Sequence, residues 1–317
     1  MRVLDHGGEA SLPATEEVDH PEPPSLLDYP ATYLLIGINL LVYGCMVRFG
    51  PVPALLREHG IWISRSVPLG AGPNGISQVA AWLTDVFTAP FHENVLTFFG
   101  SCTPDRIVGR GEWWRLVTSI FVHVTLLHLL LNMWCLWNLG IFGEPLLGKP
   151  GLVAVYLLTG VAGMLQSVVL SLVTGDLGVV VAGASGAVFG LAGILIVLLS
   201  NRALAAPWEE LRSLRRQVVF FALANLVLGA LPGILPRFFP GTLRLLHLAP
   251  GTLPHIDNGA HLGGFLCGLA LGLPLFPRMT SGRSSYRARQ ALVFGSAALL
   301  LILLSYAVSS FTRAVAA

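Results

Sequence analysis

Long apolar stretches separated by short polar ones dominate the chain. Stretches able to cross a bilayer need roughly 17–25 residues. They fall near 31–48, 118–142, 151–173, 180–200, 216–232, 259–277 and 290–311. This pattern predicts an all-α polytopic membrane protein with seven spans and its two termini on opposite sides. The fourth and sixth spans are short once their glycine-rich starts are discounted. Residues 1–30 are polar and acidic, carrying Asp5, Glu9, Glu16, Glu17, Asp19, Glu22 and Asp28. They lack the basic start and short apolar core of a signal peptide and read as a disordered tail. The segment 49–117 is long yet not plainly soluble. Ile76, Val79, Ala80, Leu83, Val86 and Phe87 recur there at helical spacing beside Trp82, with Trp113 and Trp114 further on. Such a segment lies partly in the membrane interface, anchored by its aromatics, or packs on the helix bundle.

Composition supports this pattern. Hydrophobic residues make up 54% of the chain and charged ones only 11%, against about 25% charged in a soluble domain. The net charge of +2 and the absence of basic runs interleaved with aromatics argue against nucleic acid as a partner. Cys45, Cys102, Cys135 and Cys267 are scattered, three of them in apolar segments, which suits core packing. No CxxC or HExxH motif points to a metal.

Short-loop cations set the direction. Lys149, Arg202, Arg212, Arg215, Arg216, Arg278, Arg283, Arg287 and Arg289 fall on one side, and Arg237, Arg244 and Arg313 on the other. Nine against three places the first set and the N-terminus in the cytoplasm, with the C-terminus outside. The chain then divides into a cytoplasmic tail 1–30, a core 31–277 with its long external loop 49–117, and a basic loop with the seventh span, 278–317.

Candidate chemistry sits in three spans. His128 and Asn132 lie four residues apart on one face of span two. Ser185, in Gly183-Ala184-Ser185-Gly186, starts span four, and His261, in Ala260-His261-Leu262-Gly263-Gly264, starts span six. Spans two, four and six run in the same direction, so all three sites share one leaflet, with His128 on the order of 15 Å below the surface. Each is ambiguous alone. The small residues around Ser185 make a helix-packing face, and an intramembrane histidine or asparagine can simply bond a neighbouring helix. If a Gly264–Gly268 face meets a Gly186–Gly190 face, His261 reaches Ser185 and gives a weak nucleophile its base. His128, Asn132 and the Ser185 backbone N–H would supply oxyanion donors. Asp257, at the loop edge, is not read as a third triad member. His123 points away from His128 on a regular helix and reads as an interfacial or capping residue.

Taken in order, Glu112-Trp113-Trp114-Arg115, His123-x4-His128-x3-Asn132, Gly183-Ala184-Ser185-Gly186 and Ala260-His261-Leu262-Gly263-Gly264 resemble the rhomboid intramembrane serine proteases, over roughly residues 105–277. The resemblance implies a rhomboid-like six-helix core, here with a seventh C-terminal helix, and a serine–histidine dyad without an acidic third member. Ser185 would be the nucleophile and His261 the base, with His128 and Asn132 in the oxyanion hole. Phe189 would pack against the dyad histidine, Trp114-Arg115 would be structural, and Gly264 would make the close helix contact. Loop 233–258 would act as a flexible cap, with span five as a lateral gate. Substrates would be transmembrane proteins cut in or near their spans, without a cofactor. The location expected is a bacterial plasma membrane, with the site opening outward. The rival readings are a noncatalytic binder of membrane helices and a transporter with proton-relaying histidines. Substrate identity and oligomeric state are not written in the sequence.

Overall fold

A 49-residue helical run, Leu126–Thr174, organises the bundle. It is twice the length of a span and folds back at Gly148, whose φ of 73° and ψ of 163° no helix accommodates. Pro145 and Pro150 flank that point. They weaken the helical ladder on either side of it. The computed structural model describes residues 28–49, 87, 90–202, 204, 207–238, 257–276 and 282–316. The tail 1–27, the apolar stretch at 76–86 and most of the loop 233–258 lie outside them.

The other helices of more than ten residues are Pro30–Phe49, the serine-bearing Ser185–Leu198, Trp208–Phe238, the histidine-bearing Asn258–Leu275 and the last helix, Arg283–Ala316. Among the described residues, four helical stretches are long and apolar enough to cross a membrane: Pro30–Phe49, Leu126–Thr174, Trp208–Leu231 and Arg283–Ala314. With this helical architecture, the chain is an all-α, multi-pass membrane protein. The serine helix has 14 residues, or about 21 Å of length, against a hydrocarbon core of about 30 Å.

Several boundaries differ from the sequence reading. Span two does not begin at 118. Arg115–Thr118 is a short helix, Ser119–Phe121 a 3-10 turn, and Val122 is extended at φ −86° and ψ 134°. The long helix starts only at Leu126, where the Thr125 hydroxyl accepts the His128 N–H at 3.0 Å. A depth for His128 counted from residue 118 therefore has no basis. Span five also starts earlier than expected. Pro207 opens the helix at Trp208, and Glu209 and Glu210 fill its first turn, where the helix dipole favours acids. Arg212, Arg215 and Arg216 consequently sit on a helix rather than in a loop.

Two buried polar ties hold the first helix to the long run. Both Glu144 carboxylate oxygens face its N-terminus, accepting the Ala31 and Thr32 N–H groups at 3.0 and 2.8 Å and the Thr32 hydroxyl at 2.8 Å. Two turns further along, the Asn39 amide donates to the Tyr156 hydroxyl at 3.0 Å. Where water is scarce, an anion bonded to free helix N–H groups satisfies both partners.

Candidate active site

Glycine lets the serine and histidine helices touch backbone to backbone. A Cβ at Gly264 would stand 2.0 Å from the Gly186 carbonyl oxygen, and one at Gly268 equally close to the Gly190 carbonyl. Gly193 faces Phe265 O in the same way, at 2.4 Å. From Gly186 to Leu195 every residue of the serine helix is buried. The meeting of the Gly186–Gly190 and Gly264–Gly268 faces read from the sequence is present.

That contact sets the two ends in register. The His261 Nε2 and Ser185 Oγ atoms are 2.8 Å apart. Phe189, one turn after the serine, stacks flat on the imidazole with centroids 4.5 Å apart and planes 12° from parallel. The other ring nitrogen, Nδ1, is buried and has no hydrogen-bond partner among the described residues. Asp257 does not reach it. One Asp257 oxygen caps the histidine helix by accepting the Ala260 N–H at 3.0 Å, and the other accepts the Ser167 hydroxyl. Among the described residues, no carboxylate is bonded to the dyad histidine.

Ser185 is the first residue of its helix, and no side chain caps that N-terminus. Free N–H groups at a helix start form a ready anion site. The preceding turn is narrow. Gly183 has φ 128°, and a Cβ there would come within 2.6 Å of the His128 ring. His128 thus lies against the serine turn. The buried Asn132 donates one amide hydrogen to the His128 carbonyl at 2.9 Å, leaving its second hydrogen for another acceptor.

His123 departs from its sequence reading. It is fully buried, lies edge-on to His128 with centroids 5.2 Å apart, and its Nε2 accepts the Ala184 N–H at 3.4 Å. It therefore helps fix the turn that presents Ser185. The signal for this was Thr125, an N-cap residue between the two histidines that ends any common helix.

The first loop supports the same turn. Cys102 and Val181 exchange two antiparallel backbone bonds of 2.8 Å, and Ser119 O receives the Gly183 N–H at 2.9 Å. Arg115, buried, donates to the carbonyls of Thr97 at 2.7 Å and Ser101 at 3.2 Å, bonds Glu112, and lies 4.4 Å over the Trp114 ring. Its guanidinium holds the Glu112 carboxyl below the usual range. A structural part for Trp114-Arg115 fits these contacts. Among the described residues no cluster of His, Cys, Asp and Glu is arranged to hold a metal ion.

Comparison with known proteins gives this geometry a family. The family model for the Rhomboid domain matches residues 110–278, the part that carries every residue of the site. "Rhomboid protease GluP" of Bacillus subtilis (strain 168) is 30% identical over 198 residues, covering 61% of this chain and 32% of that protein. "RHOMBOID-like protein 1" of Arabidopsis thaliana is 33% identical over 246 residues, covering 74% of this chain and 56% of its own length. "RHOMBOID-like protein 6, mitochondrial" of the same plant is 29% identical, covering 73% of each. This chain thus spans about half or less of the first two. The model match, which takes in more than half of the chain, and the site residues it encloses show that the protein belongs to the rhomboid family.

Proposed function

We propose that the protein is an intramembrane serine endopeptidase that hydrolyses peptide bonds in or near the transmembrane segments of other membrane proteins. The observation that carries this reading is the 2.8 Å contact between Ser185 Oγ and His261 Nε2, at the starts of two glycine-packed helices. With the proton of the imidazole on Nδ1, Nε2 accepts the serine proton as Oγ attacks the substrate carbonyl carbon. The resulting oxyanion faces the uncapped N-terminus of the serine helix, with His128 and Asn132 beside it. The imidazolium then returns the proton to the departing amine, leaving an ester on Ser185. Water attacks that ester, giving its proton to Nε2, and the imidazolium passes that proton to Ser185 Oγ as the acyl–oxygen bond breaks and the acid product leaves. Phe189 holds the imidazole plane throughout.

Water must reach Ser185 for the second half of this cycle. A helix of 14 residues is shorter than the hydrocarbon core, and this reading puts the shortfall above its serine end. The chemistry calls for no cofactor. By its short-loop cations the N-terminus lies in the cytoplasm and the serine end opens outward, as suits a bacterial plasma membrane. Gly183, Gly186 and Gly264 allow the close approaches that assemble the site.

Cleavage of a model transmembrane substrate by the purified full chain tests this. Ser185→Ala is expected to abolish cleavage, a loss on the order of 10⁴-fold or more, while keeping the helix content of the wild type. Cleavage that persists in Ser185→Ala overturns the mechanism. Substrate binding without cleavage by the folded wild type favours a noncatalytic binder of membrane helices instead.

A further inference from the structure

At the end of the bundle opposite the dyad, a cleft of about 790 Å³ opens between the Gly148 turn and the first turns of the last helix. Lys149, Arg283 and Arg287 stand on its lining, all three exposed. Two acids also line it, Asp28 and Glu144. Glu144 is buried, and both of its oxygens are engaged by the first helix's N-terminus, whose dipole offsets its charge. The balance at the mouth is cationic.

The lining changes character with depth. Lys149, Arg283 and Arg287 belong to the outermost turns. Ala154, Ala291 and Phe294 lie one to three turns further along the same two helices, toward the membrane interior. Cations at the rim above an apolar interior match an anionic phosphate carried on acyl chains. The last helix is also weakly held. None of its most apolar 18-residue window is buried. Among the described residues, two side-chain ties bind its start, Gln290 Nε2 donating to Leu147 O at 2.9 Å and Arg289 Nε to Pro274 O at 3.2 Å. Its other half borders an apolar cavity of about 670 Å³ against Trp113, Leu157 and Val161.

We propose that this cleft binds the phosphate headgroup of an anionic phospholipid, which bridges Lys149 of the core to Arg283 and Arg287 of the last helix. Basic pockets between membrane helices are suited to such headgroups. The site stands whether or not the protein cleaves peptides, and its test does not use cleavage.

Native mass spectrometry of the detergent-solubilised full chain, titrated with phosphatidylglycerol, phosphatidylcholine or inorganic phosphate, reads the site directly. Phosphatidylglycerol is expected to remain bound where phosphatidylcholine does not. The Lys149→Gln/Arg283→Gln/Arg287→Gln variant should bind it on the order of 100-fold more weakly. The Arg212→Gln/Arg216→Gln variant removes cations at the same end but away from the cleft, and should bind within about 3-fold of wild type. Circular dichroism reports whether both variants fold. Equal losses in two folded variants, or equal retention of both lipids, overturn the proposal. Inorganic phosphate that binds alone and displaces the lipid assigns the cleft to free phosphate and overturns the lipid reading. If the triple variant fails to fold, Arg287→Gln alone carries the test, with a loss of about 5-fold expected and none overturning it.

Discussion

The serine and histidine helices meet with no room for a methyl group between them, whereas the last helix leaves cavities along its length. At Gly264 and Gly268 a Cβ would overlap a facing carbonyl, so the spacing of the two helices is fixed by backbone. No residue of the last helix's most apolar window is fully buried; the helix meets the core through partly buried side chains such as Val293, Ala297, Leu301 and Val308. A proton transfer over 2.8 Å tolerates little drift, since small misplacements of reacting groups are costly. Stiff glycine contacts on one side and a loosely attached helix on the other therefore mark where position matters and where it does not.

The strongest way to break this contrast is Gly264→Leu. The side chain meets a backbone carbonyl that cannot move aside, so the helices must separate. Stability is expected to fall by about 3 kcal/mol, and serine labelling by a fluorophosphonate should disappear. Thermal unfolding and labelling of the same sample check it, and normal labelling would show that the seam is not rigid. Gly183→Ala comes next. It puts a Cβ at φ 128° and against the His128 ring, so the labelling rate should fall at least about 10-fold while stability drops by about 1–2 kcal/mol. Gln290→Ala is the smallest change. It removes the last helix's bond to Leu147 O at a cost of about 1 kcal/mol. Labelling of the dyad should stay at the wild-type rate. A large drop would mean that the last helix is coupled to the site after all.

Much of the site was legible because its signals are local. The Gly186/Gly190 and Gly264/Gly268 spacings are packing faces at one helical turn, and they lead to the observed contact. Phe189 one turn after Ser185 is equally local. The start of the long helix was not legible from hydropathy, because Ile120, Phe121 and Val122 continue the apolar run while the backbone there is 3-10 or extended. Thr125 was the only mark of the true start. The early opening of the helix at Trp208 was hidden by charge, since Glu209, Glu210, Arg212, Arg215 and Arg216 read as a loop. Pro207 followed by two acids was its signal. The Glu144 cap on the first helix and the bond from Gln290 to Leu147 O join residues more than a hundred positions apart, and no local pattern carries them.

The central claim is that His261 activates Ser185 inside the folded bundle. Mapping the site of fluorophosphonate modification by peptide mass spectrometry, in wild type and His261→Ala, tests it most directly. Modification at Ser185 in the wild type and its loss in the folded His261→Ala variant is the result expected. Modification at another serine, or undiminished modification of Ser185 without His261, would contradict it.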